Sequence, residues 1–280
     1  MSFEIKWLGT ACFEIRIESE KSIVIDPYID DSVSVPFTSD RIEGCDYIFI
    51  THGHYDHVLD AGKLANKFNP EIFCSREVAG ALIEHQGIEP DRFTHIASGD
   101  VVERGGMRAE IVQGVHVDFV ATYQRITGGD LFQDAGGDLK KGIQMAIEAS
   151  MGPGVSPPDQ MQEWMLKYPQ GEQLNFVFEI NGGKRIYMAG SYPDTSLLEV
   201  AKNTRAYMTL LQVLAGNTLK GLEEQTVEFG LASGAEIIVP QHHDPLMKGA
   251  QAADLAKVRE LFKKHNALFE ELEPGNWYKF

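Results

Sequence analysis

Between Asp46 and Phe68 the chain changes its hydrophobic period, and the join is crowded with ligand-type side chains. The segment THGHYDH, positions 51–57, carries three histidines and an aspartate in seven residues. The apolar run YIFI before it reads as a buried strand. After it, DHVLDAGKLANKF has Val58, Leu59, Leu64 and Phe68 at helical spacing and ends near Asn69-Pro70. Imidazole is the commonest neutral nitrogen ligand, and zinc-type sites use about three protein ligands with one position left open. His52 and His54, two apart on a strand-end loop, are expected to point the same way. Asp56 and His57 open the next helix and project from a different backbone direction. Four ligands aimed two ways suit two adjacent metals better than one. Two metals about 3.5–4 Å apart can clamp a bridging hydroxide, the nucleophile of metal-assisted hydrolysis.

The rest of the sequence supplies the frame for such a site. FEIKWLG, CFEIRIE, SIVIDPYI, EIFCS, HIASGDVVE and GMRAEIVQGVHV read as strands, and REVAGALIEHQG as a helix ending at Gly87. The last third reads as a helix at 195–203, the strand AYMTLLQV, a helix around 219–233, the strand AEIIVPQHH and a helix at 250–265. CFEIRIESEKSIVIDPYI and FVFEINGGKRIYMAGSYPD share a pattern: Phe-Glu-Ile, a turn, a lysine, then an apolar strand ending at a loop. Two such halves, each a sheet with helices, would make a layered sandwich within one domain spanning 1–280. Residues 120–173 interrupt it with a Gly-rich, Met-rich, Pro-broken stretch. Two short helices, near 138–150 and 158–168, are expected there. A stretch of this kind is a lid or binding loop, or equally an oligomer-forming excursion.

Composition narrows the function classes. The net charge of −16 repels phosphate backbones, so no nucleic-acid partner is expected. No apolar run approaches the ~20 residues of a membrane span, and MSFEIKWLGT lacks the form of a signal peptide. Cys12, Cys45 and Cys74 are odd in number and widely spaced, as in buried reduced thiols of a cytoplasmic protein. A small-molecule substrate is the expected partner; the oligomeric state is left open.

His-x-His-x-Asp-His after a strand is the signature of the metallo-β-lactamase superfamily, which the chain resembles over most of its length outside the 120–173 stretch. WLGTACFEI followed by IDPYI is similar to the opening of the branch that includes ascorbate-phosphate lactonase. The resemblance implies a four-layer αββα sandwich of two pseudo-symmetric halves, with one or two zinc ions as cofactor, manganese or iron being alternatives. It implies His116, in VQGVHVDF, and His242, in VPQHHDP, as further metal ligands, with His243 the less suitable neighbour. One ion then belongs to His52, His54 and His116, the other to Asp56, His57 and His242. Asp26, in IDP, is implied as a support beneath the metal loop. Asp56 would act catalytically by orienting the hydroxide. The implied activity is metal-dependent hydrolysis of a small ester, lactone, amide or phosphodiester.

Two positions depart from the family pattern. Thr10 stands in WLGT where a histidine is common. Ser191, in YMAGSYPDT, stands where an aspartate usually bridges both metals. A serine hydroxyl cannot supply an anionic bridge, so the second ion is expected to be held more weakly. Ser191 and Asp194 remain candidate ligands, although Asp194 reads first as the N-cap of the helix TSLLEVAK. Mononuclear iron chemistry on oxygen or sulfur, or a non-catalytic member with a weakened site, are the alternatives these departures raise. Tyr28, Tyr55, Tyr192 and Trp164 are read as packing residues near the site. His85 is read as meeting the carbonyls at its helix end, and His95 and His265 as peripheral.

Overall fold

The structure is a computed structural model that describes residues 2–17, 21–180 and 182–280. The charged turn expected at 18–20, and Asn181 in the second hairpin turn, lie outside the described residues. The first sheet is built from β1 (Glu4–Trp7), β2 (Phe13–Arg16), β3 (Ser22–Ile25), β4 (Tyr47–Phe49), β5 (Glu71–Cys74) and β6 (Phe93–His95). The second takes β7 (Val101–Arg104), β8 (Met107–Gln113), β9 (Leu174–Ile180), β10 (Arg185–Ala189), β11 (Met208–Gln212), β12 (Ile237–Gln241) and β13 (Leu268–Phe269). The last strand, β14 (Trp277–Lys279), returns to the first sheet and pairs with β1. Spatial order is β14-β1-β2-β3-β4-β5-β6 in one sheet and β13-β12-β11-β10-β9-β8-β7 in the other.

The two sheets repeat one pairing scheme. Across the first, β14, β1, β2 and β3 are mutually antiparallel and β3 to β6 run parallel. Across the second, β7, β8, β9 and β10 are antiparallel and β10 to β13 parallel. The hairpins β2–β3 and β9–β10, whose sequences share a pattern, hold equivalent places at the switch from antiparallel to parallel.

Strand alternation decides what lies between the layers, because successive side chains face opposite ways. Phe49, Phe73, Ile23 and Ile25 of the first sheet meet Phe176, Phe178, Met188 and Val239 of the second in a central core. Phe49 stands edge-on to Phe178, with ring centroids 5.0 Å apart. The intervening residues face outward. Val24, Ile48 and Ile72 pack under α1 (Tyr55–Val58), α2 (Ala61–Phe68) and α3 (Arg76–Gln86). Between β8 and β9 come α4 (Phe119–Thr127), α5 (Leu131–Ala135), α6 (Leu139–Met151) and α7 (Asp159–Lys167). On the far side, Tyr187, Leu211 and Ile238 pack under α8 (Leu198–Thr204), α9 (Glu223–Ala232) and α10 (Ala256–Lys264). The result is the four-layer αββα sandwich that the resemblance implies. No helix among the described residues is long and apolar enough to cross a membrane.

The 120–173 stretch holds four helices rather than the expected two. The additional pair, α4 and α5, was hidden by TGGD and AGGD, which read as loops. In each, a glycine closes one helix in the left-handed region (Gly128, φ 74°; Gly136, φ 66°) and an aspartate opens the next. Asp130 accepts from the Phe132 and Gln133 amides, and Asp138 from the Lys141 amide. Stop and start signals so close together make a chain of short helices.

On the outer face of the first sheet a buried ion pair ties β1 to β2. Lys6 and Glu14 sit directly opposite and meet at 2.6 Å. The Lys6 ammonium also donates to the Arg41 carbonyl at 3.0 Å and lies 4.4 Å from the Trp277 ring centre. Burial raises the Glu14 carboxyl above its ordinary range despite the pull of Lys6. Replacing Lys6 by Met strands that carboxylate, and a loss of about 3–5 kcal/mol is expected. Denaturant unfolding measures it, and adding Glu14→Gln to the same chain should recover part of the loss.

Candidate metal centre

Strand ends from both sheets deliver the side chains. Beyond β4 the chain runs through Thr51, His52, Gly53 and His54 into α1, whose first turn presents Asp56 and His57. Beyond β8 comes His116, and beyond β12 comes His242. These six residues form two trios, His52/His54/His116 and Asp56/His57/His242, with the ligand atoms of each trio within 4.8 Å of one another. The His54 Nδ1 and His116 Nε2 atoms are 3.2 Å apart. Asp56 Oδ2 lies 3.1 Å from His242 Nε2 and 3.6 Å from His57 Nε2. Two donors on one tetrahedral zinc, with bonds of about 2.0–2.1 Å, stand roughly 3.3 Å apart, so these separations fit shared ions.

The hydrogen bonds around the trios fix which nitrogen each imidazole offers. His57 Nδ1 donates to Asp26 Oδ2 at 2.8 Å and His116 Nδ1 to the Val117 carbonyl at 2.9 Å. The Thr51 hydroxyl donates to Asp26 at 2.7 Å and so accepts from His52 Nδ1 at 3.0 Å. Each ring therefore presents a bare Nε2 to the cluster. His52 Nε2 is buried and has no protein partner. A buried imidazole nitrogen without a partner is costly, and a metal ion would satisfy it. Asp26, itself fully buried, also accepts the Thr51 amide at 2.8 Å. Asp26 thus lies beneath the ligand segment, bonded to Thr51 and His57.

Electrostatics keeps His52, His54 and His116 in the neutral, ligating form. Burial, reinforced by the neighbouring imidazoles, lowers His52 well below its ordinary value. The same causes bring His54 to about 3 and His116 to about 4. His57 goes the other way: burial would lower it, but Asp26 and Asp56 outweigh that and raise it. For Asp56, burial is outweighed by His57 and by the hydrogen bond from His242, and its carboxyl is held well below the usual range.

Three of the non-glycine residues in the left-handed backbone region lie at this site: Thr10 (φ 48°), Asp26 (φ 44°) and His242 (φ 60°). Such strain persists only where the surroundings enforce it. Here the His242 amide donates to the Thr10 carbonyl at 2.8 Å, and the Thr10 amide is held by the Asp244 carboxylate at 3.0 Å. Thr10 thus contributes its backbone, not a ligand. His243 is stacked on Trp7 with centroids 4.9 Å apart, which turns it away from ligand duty.

The trios form the floor of a cavity of ≈ 90 Å³. Its remaining wall is mostly apolar and includes Met151, Met161 and Met165 from the 120–173 stretch. The same stretch grips the ligand loop. The Trp164 indole donates to the Gly53 carbonyl at 2.7 Å, and the Gly53 amide donates to the Gln170 carbonyl at 2.7 Å. A Cβ on Gly53 would sit 3.0 Å from the Pro169 carbonyl oxygen, which explains the glycine between His52 and His54. Tyr55 and Tyr192 line the cavity, whereas Tyr28 is buried beside it. His85 does not cap its helix end; its ring stands edge-on to Trp164 at 5.0 Å.

Comparison with known proteins agrees with this geometry. Residues 5–130 match the sequence model of the metallo-beta-lactamase superfamily. Over that stretch, a little under half of its length, the chain is similar to the superfamily. A relative from Roseiflexus sp. (strain RS-1), named UPF0173 metal-dependent hydrolase, is 35% identical over 115 residues, 40% of this chain and 47% of that protein. That match spans about half the relative's length. A relative of the same name from Myxococcus xanthus is 24% identical over 97% of this chain and 81% of its own. Among solved structures, Igni18, a metallo hydrolase from the archaeon Ignicoccus hospitalis, superposes with a TM-score of 0.69 at 16% identity, covering 100% of this chain and 99% of its own. An isothiocyanate hydrolase from Delia radicum gut bacteria gives 0.63 at 17% identity, covering 99% and 98%.

Ser191 stands at the position where the resemblance implies a bridging aspartate. Ser191 is fully buried and turned away from the trios: its hydroxyl donates to Asn175 Oδ1 at 2.8 Å and accepts from the Val115 amide at 3.1 Å. Asp194 accepts from the Ser196 amide at 2.8 Å as a helix cap. Neither candidate ligand is brought to the cluster, because each is engaged by backbone and amide groups of its own neighbourhood. Ser191 instead anchors the β8 loop that carries His116. Sequence reasoning also passed over Thr51 and Gln212. The Gln212 amide oxygen is buried without a protein partner, and the residue lines the cavity. A glutamine ending the strand LLQV gives no ligand signal by itself.

Two variants separate these roles. Asp26→Asn puts an amide donor where three donors converge, so chelator competition should show metal affinity falling 10- to 100-fold with the fold retained by circular dichroism. Ser191→Ala should cost about 1–3 kcal/mol in denaturant unfolding and leave the metal stoichiometry unchanged.

Proposed function

We propose that this chain is a metal-dependent hydrolase, holding zinc in the two trios and acting on a small ester, lactone, amide or phosphodiester. The observation that carries the reading is the convergence of five histidines and one aspartate, with His52 Nε2 bare and buried, on the floor of a mostly apolar cavity. Zinc suits a donor set with one carboxylate among imidazoles, whereas manganese and magnesium favour oxygen. Bound there, the ions would supply a water-derived nucleophile at neutral pH and polarise the scissile group.

The chain's own residues do the rest. Asp56 Oδ2 sits between His57 and His242 as the single carboxylate of the cluster, and accepts and orients protons at the reacting edge. Asp26, through His57 and Thr51, holds two imidazoles in the ligating tautomer. The helices over the cavity exclude bulk water, which strengthens every charge interaction beneath them. Tyr192, its phenol kept protonated by burial, lines the cavity as a hydrogen-bond donor for substrate.

The names of the relatives support hydrolysis, and the isothiocyanate hydrolase among the structural neighbours carries that substrate for itself alone. Without an aspartate between the ions, mutual repulsion falls on fewer anionic groups, so the Asp56/His57/His242 ion should leave first on dialysis. Metal content measured on protein purified without chelator is expected to give zinc, up to two per chain. His54→Ala should remove one ion and abolish turnover of 4-nitrophenyl acetate. His265→Ala, on the exposed end of α10, should change neither. Full activity in the His54 variant, or iron as the resident metal, would overturn the zinc-hydrolase reading.

A further inference from the structure

A second apolar cavity, of ≈ 250 Å³, lies within the helical stretch, bounded by α4, α5 and α6. It shares three walls with the cavity over the metal trios: Phe119, Ile147 and Met165. Phe119 is the closest link. Its ring lies parallel to His54, centroids 6.4 Å apart, and 5.8 Å from His116, while it also bounds the second cavity. The two spaces are thus separated by little more than one aromatic ring and a flexible methionine. At its outer rim the second cavity carries Phe132 and Leu139, each 65% exposed. Among the described residues neither cavity is lined by lysine or arginine, and the charged group at the second is Asp138.

We propose that this groove holds the apolar acyl tail of the substrate, so that the enzyme acts on neutral esters or lactones of medium-chain acids. The proposal rests on the hydrolase reading above and names its substrate class. The metal cavity, at ≈ 90 Å³, offers less room for a long apolar tail than the groove beside it, at ≈ 250 Å³. Its lining offers burial to methylenes and nothing to an anion, and Asp138 would repel a tail ending in carboxylate. In the reaction, water adds to the acyl carbon and the bond from that carbon to the alkoxy oxygen breaks. The proton lost by the water ends on the departing oxygen, giving a medium-chain acid and an alcohol, or a hydroxy acid from a lactone.

Adjacency to the metal cavity across the shared residues Phe119, Ile147 and Met165 is what assigns the groove to substrate and not to a second copy of the chain. Gly142 provides the test, because it lines the groove and a Cβ there would meet Ala135 Cβ at 3.6 Å, an ordinary contact. A leucine at 142 would fill the groove without touching a ligand. Each buried methylene contributes a factor of roughly three to four. With zinc-loaded protein, kcat/KM for 4-nitrophenyl octanoate, which has six more methylenes to bury, should exceed that for the acetate on the order of 1,000-fold. Gly142→Leu should bring the ratio close to one while the acetate rate stays within twofold. Leu139→Ser, at the exposed rim, should lower the ratio less and guards against misfolding of the first variant.

Binding gives a readout apart from turnover. N-phenyl-1-naphthylamine fluorescence on metal-free protein should report a site that methyl octanoate empties, methyl acetate does not, and Gly142→Leu weakens at least tenfold. If that pattern holds but two-metal protein turns over no ester, the hydrolase reading falls and the tail site stands. An octanoate-to-acetate ratio and probe affinity unchanged by Gly142→Leu overturn the proposal. So does sedimentation as a dimer that Phe132→Ser dissociates, with no probe bound.

Discussion

A single buried carboxylate, Asp26, holds the centre of this molecule together. It lies where β3 ends, with a left-handed backbone, and receives three hydrogen bonds: the Thr51 amide, the Thr51 hydroxyl and His57 Nδ1. A fully buried anion is tolerable only when its lone pairs are occupied, and here all three donors belong to the ligand segment. The bonds lock β3 to the chain leaving β4. They also set the tautomers of His57 directly and of His52 through Thr51. One interaction therefore couples the packing of the first sheet to the chemistry of both trios.

The second sheet reaches the same point by other means. His116 and His242 arrive from β8 and β12, and each depends on contacts of its own loop. The Ser191 hydroxyl pins Val115 beside His116, and the Thr10 carbonyl pins His242 in a strained conformation. Position 191 is used to build the loop, and the cluster is left with one carboxylate. The Ser191 side chain therefore acts on the placement of the loop that carries His116.

Over the cluster, the four helices between β8 and β9 act as structure and as boundary. Trp164 and the Gly53–Gln170 hydrogen bond attach them to the ligand loop, so the roof and the floor of the cavity are one cooperative unit. Methionines from α6 and α7 supply an adaptable apolar wall. The exposed Phe132 and Leu139 mark where the second cavity, beside that wall, opens to solvent. A roof that also positions the ligands ties any substrate-linked movement of the helices to the geometry of the metals.

Local sequence determined the strands, the strand–loop–helix carrying His52, His54, Asp56 and His57, and the shared pattern of the two hairpins. Those depend on side-chain period and on neighbours a few residues apart, which a linear reading contains. The cap role of Asp194 was legible for the same reason, since an aspartate before a helical run satisfies amides two or three residues on. Short α4 and α5 were lost because their Gly-Gly-Asp joints look the same whether they interrupt coil or link helices. His116, His242 and Asp26 were placed through the family resemblance, and only the tertiary structure brings their atoms within bonding distance of segments remote in sequence. It alone decided that Ser191 faces Asn175 and away from the two trios, that Thr10 serves through its carbonyl, and that Phe119 stands between two cavities. Each of those outcomes turns on the direction of one side chain in a packed interior, and direction is set by partners that strand pairing and sheet packing bring together, not by adjacent residues.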